Sequence, residues 1–166
     1  MRPVPDDVGP GQTSVWDYPR PAVAEPTARH IVIEHRGVVL ADTRTAIRTL
    51  ETSHPPSYYL PPDDVLTSAL RRSGRGSLCE WKGQAIYYDV VIADDVFPDM
   101  AWSYPTPTPT PAFACLRDHI AFYAAPFETC MVDGERVVPQ PGDFYGGWIT
   151  ADLAGPFKGI PGSRFW

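Results

Sequence analysis

Two side chains in this sequence have the chemistry of proton transfer and lie close in the chain to clustered rings: His54 and Glu80. Histidine titrates near neutral pH, and a neighbouring carboxylate fixes which ring nitrogen holds the proton. His54, at an X-Pro bend beside Glu51, is therefore a candidate acid or base. Glu80 is the second candidate, as a general base, a role that needs an enclosed setting. Lys82 stands two residues on, with rings at Trp81, Tyr87, Trp102 and Tyr104 and, earlier, at Tyr58 and Tyr59. Ring walls with few polar anchors describe a pocket for a small, partly apolar molecule, so these six rings and Lys82 are the candidate binding residues. The plainer readings are a hydrogen-bonded loop histidine and rings packed as core.

Most of these residues depend on one ribbon, residues 78–92. Aromatic and β-branched residues flank Lys82-Gly83, and Gly83 accepts the positive φ of a two-residue turn. The expected register sets Trp81 opposite Gln84, Glu80 opposite Ala85 and Cys79 opposite Ile86. Cys79, Ile86, Tyr88, Val90 and Ile92 then share a buried face, while Glu80, Tyr87 and Asp89 share the face where a site would form.

Two further hairpins follow the same logic. One turns at Arg36-Gly37 with Ile31, Ile33 and Leu40 inward, the other at Asp133-Gly134. Short helices are expected near Ala46, Ile47 and Leu50, after Pro62, and over residues 111–119. A Ser57-Tyr58-Tyr59 segment between proline pairs is extended, its tyrosines pointing opposite ways. Asp94 and Asp95 read as turn residues and His119 as a helix-end residue. The alternating Pro-Thr run over residues 105–111 is a semi-rigid polyproline strap. Residues 1–14 are expected to be disordered, 15–28 an extended aromatic and proline arm that is neither helix nor strand, 29–138 the main domain, and 139–166 an irregular tail of Gly, Pro and rings packed on it.

Composition excludes several classes. A chain of 166 residues that is 43% hydrophobic supports one substantial core. Its net charge of -6 argues against nucleic-acid binding, which needs clustered Lys and Arg. No run of 18 apolar residues and no leader-like start occur, which points to a soluble, cytoplasmic protein with no membrane partner. Three scattered cysteines without a Cys-x-x-Cys imply neither a disulfide framework nor a closed zinc site, and no metal is expected. Nucleotide, hydrolase and zincin fingerprints are absent, so no cofactor is expected. No feature specifies an oligomeric state.

The set Ala41-Asp42-Thr43, Leu50 through Pro55, Tyr58-Tyr59-Leu60-Pro61, Cys79-Glu80-Trp81-Lys82-Gly83, Ala101-Trp102-Ser103-Tyr104-Pro105 and Ile120-Ala121-Phe122-Tyr123 resembles the family known as domain of unknown function 427, over roughly residues 29–138. The resemblance implies a mainly β fold with short helices, β-tent-like, in which two antiparallel sheets meet at an angle. Related folds often pin the sheets with zinc on paired Cys-x-x-Cys motifs, which this chain lacks. A nucleotidyltransferase label attached to the family finds no Gly-Ser plus paired-Asp signature here. Three functions follow in order: a binding domain for a small, partly apolar molecule, an enzyme using Glu80 or His54, and an interaction module displaying the Pro-Thr strap.

Overall fold

The computed structural model describes residues 1–109 and 112–166 and is mainly β. Helix among the described residues is confined to single 3-10 turns. Two four-stranded antiparallel sheets carry the body. One runs Ile120–Phe122, Asp95–Ser103, Gly83–Ile92, Leu70–Cys79; the other runs Glu135–Arg136, Thr129–Val132, Ile31–His35, Val38–Thr43. A three-stranded sheet of Val23–Pro26, Ile47–Leu50 and Ser57–Tyr59 packs nearby, and two short strand pairs complete the set. The hydrogen-bonded strands thus form several sheets rather than two.

The hairpins at Arg36-Gly37 and Asp133-Gly134 form as expected, each with both turn residues at positive φ, the backbone that matches strand twist. Ile31, Ile33 and Leu40 are fully buried. They share one core with Val90, Ile92, Ala101, Ile120 and Phe122 of the other four-stranded sheet. Burial of these side chains on both inner faces is the main attraction between the sheets, each Val, Leu, Ile or Phe contributing about 1.5–3 kcal/mol. The opposite face of the sheet containing Gly83–Ile92 holds Ala85, Tyr87, Trp102 and Ala121, which with Tyr104 pack on Ile47 and Tyr59. Strand alternation alone produces this division: 85 and 87 face one way, 88, 90 and 92 the other.

The central ribbon departs from its expected register. Cys79 pairs with Gly83, Leu78 with Gln84 and Ser77 with Ala85, so the connection is Glu80-Trp81-Lys82 and the pairing slips by three residues. Gly83, at φ +105, closes this longer turn instead of standing inside a two-residue one. The cause lies elsewhere in the chain: Pro107 forms a bridge to Gly83, Thr108 N–H donates to Lys82 O at 3.0 Å, and Thr108 Oγ1 donates to Trp81 O at 2.8 Å. The Pro-Thr strap clamps the turn. Its residues 110 and 111 lie outside the described residues. An odd slip exchanges faces, so Ser77 takes the place expected for Glu80 beside Tyr87, their hydroxyls 2.9 Å apart, and Cys79 leaves the Ile86 face.

Other local expectations gave way to tertiary pairing. The segment holding Ala46, Ile47 and Leu50 is not helical: Ile47–Leu50 is a strand between two partners, where its β-branched Ile47 and Thr49 pack well. After Pro62 only the turns Pro62–Asp64 and Thr67–Ala69 form before Leu70 enters its strand. Of the helix expected over 111–119, the single turn Ala114–Leu116 forms. Residues 1–14 end in structure, since Thr13–Ser14 pairs in parallel with Leu153–Ala154 and Asp6 N–H donates to Gly155 O at 2.8 Å. The 15–28 arm contains both a 3-10 turn, Val15–Asp17, capped by Ser14, and a strand, Val23–Pro26. The tail is part of the core: Trp148 is buried and its indole N–H donates to Phe122 O at 2.9 Å.

Candidate functional site

The clamped turn and the face carrying Tyr87 and Trp102 border a cavity of about 260 Å³. Of the nine residues singled out from the sequence, eight line it: His54, Tyr59, Glu80, Trp81, Lys82, Tyr87, Trp102 and Tyr104. Tyr58 does not. Adjacent strand residues point apart, and Tyr58 goes into the main core against Trp148, 5.3 Å between ring centroids, while Tyr59 goes to the cavity.

The phenols and indoles are linked. Trp102 Nε1 donates to Tyr59 Oη at 3.3 Å with the rings perpendicular, and Tyr123, 4.8 Å from the Trp102 ring, donates its hydroxyl to Phe144 O at 2.7 Å. Arg75 lies over the Tyr87 ring at 4.6 Å. Burial raises the pKa of Tyr59, Tyr104 and Tyr123 above the ordinary phenol value, so all three stay protonated at neutral pH. They are neutral hydroxyls rather than phenolates, and that of Tyr123 is already donated to Phe144 O.

His54 meets the ring edge of Tyr145 at 4.8 Å, and its Nε2 lies 3.9 Å from Glu51. Burial, followed by the positive charges of Lys158, Lys82 and Arg20, lowers its pKa to about 3. The imidazole is therefore neutral at pH 7. Glu80 is exposed on the turn at the cavity's edge, a consequence of the slipped register. Lys82 lines the interior. Burial works against its charge, but coupling to Tyr59, Cys79 and Glu51 lifts its pKa above the ordinary lysine value; with Tyr59 protonated, the Glu51 carboxylate is the anion that favours the charge at neutral pH. It carries an ammonium.

The cavity also uses residues that sequence reasoning left out. Ser77 and Cys79 come from the family-like region, as does Glu51, named earlier only as the neighbour of His54, whereas Gln140, Phe144, Tyr145, Gly146 and Lys158 come from the tail. The ring and glycine density of the tail was the available signal. Its backbone reaches the cavity because Gly146 has no side chain: a Cβ there would sit 2.1 Å from Trp102.

Trp16 is placed away from this cavity. It packs on Trp166 at 5.5 Å, and its Nε1 donates to Pro156 O at 2.9 Å, beside a separate hollow formed largely by the chain ends. Among the described residues, no group of three or more His, Cys, Asp or Glu side chains is arranged to hold a metal. No helix among them is long and apolar enough to cross a membrane.

A family model described as a domain of unknown function (DUF427) matches residues 23–133. No curated protein matches the chain.

Proposed function

The chain belongs to the DUF427 family, whose description assigns no activity, and from the cavity we propose that it binds a small, partly apolar molecule. The observation that carries this reading is the convergence of Tyr59, Tyr87, Trp102 and Tyr104 on one hollow, where polar side chains such as Glu51, His54, Lys82 and Gln140 stand among the rings. Its volume of about 260 Å³ compares with roughly 150 Å³ for a cavity that takes up benzene, so it accommodates a ring with a substituent. The neutral His54 and exposed Glu80 favour binding over the acid-base enzyme. The strap's hydrogen bonds to the Lys82 turn favour a supporting role over display to a partner. We read the two four-stranded sheets over one core as the leaves of a β-tent, and the protein as cytoplasmic.

Native mass spectrometry of the purified protein, with a thermal-shift screen of ring-containing metabolites, tests the proposal. Ring compounds should raise Tm, and Trp81→Ala and Tyr145→Ala should each reduce that rise. If no compound binds and neither variant changes any signal, the cavity is not a binding site.

A further inference from the structure

The charges around the cavity are unequally satisfied. Glu51 stands 3.9 Å from the neutral His54 Nε2 and acts electrostatically on Lys82, Glu80 is in solvent, and Lys158 donates to the Trp166 carbonyl at 3.3 Å and lies over the Tyr145 ring. Lys82 differs: among the described residues its ammonium has no hydrogen bond or ion pair, although it lines the cavity among the rings. The Glu51 carboxylate acts on it only from beyond ion-pair distance, and an ammonium withdrawn from water without an anion in contact is costly. The chain nevertheless holds it there, since the strap fixes Lys82 O and Trp81 O through Thr108, and Gly83 leaves room for the strap, whose Thr106 O would stand 3.2 Å from a Cβ.

We propose that the molecule bound in this cavity is a ring-bearing carboxylate, its ring between the Trp81, Tyr87 and Trp102 walls and its carboxylate on the Lys82 ammonium. The inference rests on the binding function proposed above and specifies its ligand class. One unpaired ammonium matches a single negative charge, and the protonated, mutually hydrogen-bonded pair Tyr59 and Tyr104 leaves one neutral hydroxyl donor beside it. A phosphate fits less well. It brings up to two charges toward Glu51, and the cavity has no arginine fork. A cationic ligand would place its charge beside Lys82 and Lys158, both of which line the cavity.

The test compares benzoate, phenylacetate and 2-naphthoate with their primary carboxamides, by ligand-observed NMR and calorimetry, on wild type and Lys82→Met. At least one carboxylate should bind wild type about tenfold or more tighter than its amide, the size expected of a charged hydrogen bond. Lys82→Met should abolish that preference while amide binding persists. Raising ionic strength should narrow the preference in wild type, which decides the matter should Lys82→Met fail to fold. Amides binding as well as acids, or a preference that survives Lys82→Met, overturns the carboxylate assignment and leaves the cavity reading standing. Absence of binding by acids and amides alike removes both.

Discussion

The side-chain amide of Gln140 donates from Nε2 to His54 Nδ1 across 3.0 Å. The amide cannot be reversed, because its Oε1 accepts from the buried Gly147 N–H at 2.9 Å and its Nε2 also donates to Lys158 O at 2.9 Å. Nδ1 must then be the acceptor, and the proton of the neutral imidazole sits on Nε2, toward Glu51. A residue outside the matched family region thus sets the tautomer of one within it.

This arrangement predicts a pH dependence. With His54 at about 3 when folded and near 6.5 when unfolded, the unfolded chain binds the extra proton across that window. Stability is therefore fully present above the unfolded value and is lost as pH falls through the window. Between pH 7 and 5 wild type should lose about 2 kcal/mol more than His54→Gln in urea titrations. Nitrogen NMR of His54 should show the Nε2–H form unchanged at pH 5. An imidazolium spectrum at that pH would contradict the network.

Gly83→Ala tests the clamp. The position has φ +105, and a Cβ would stand 3.2 Å from Thr106 O and 3.4 Å from Thr108 N. Backbone strain and displacement of the strap should cost about 1–3 kcal/mol, measured by denaturant titration. Since the same turn carries Lys82 and Trp81, ligand affinity should fall with it. Unchanged stability would mean the strap does not hold the turn.

Gly146→Ala should push the tail off Trp102, because a Cβ would overlap the indole edge. The expected loss is about 1–3 kcal/mol, accompanied by a shift in tryptophan emission as the cavity side of Trp102 gains water. Retention of the wild-type emission and midpoint would show that the contact relaxes freely.

Tyr58 and Tyr59 should behave differently when each loses only its hydroxyl. Tyr59→Phe leaves the Trp102 indole N–H without its acceptor and should cost about 1–2 kcal/mol and alter ligand binding. Tyr58→Phe removes a 3.5 Å contact from Arg29 at the edge of the main core, so it should cost less and leave binding unchanged. Thermal melts and the ligand screen of both variants read this out.

Much of the candidate site was legible because ring clusters and turn residues are local signals. Trp81, Tyr87, Trp102 and Tyr104 reach one cavity despite the misread register, since the alternation along each strand survives a change of partner. Glu80 was misplaced for the converse reason. Its position depended on which residues form the turn, and Thr108, more than twenty residues away in the chain, decides that. The short helices failed similarly: Ile47–Leu50 has apolar spacing that suits a helical turn, yet two flanking strands supply backbone partners.

The amino-acid sequence by itself determined the hairpins at Arg36-Gly37 and Asp133-Gly134, the alternating faces and the family, all of which rest on backbone preference and on periodicity within a few residues. Only the tertiary structure decided the turn at residues 80–82, the separate fates of Tyr58 and Tyr59, and the contribution of Gln140 and Gly146 to the cavity. Those outcomes depend on strap and tail segments meeting the sheet across long stretches of chain. Hydrogen bonds and close packing between distant segments leave no periodic trace in either.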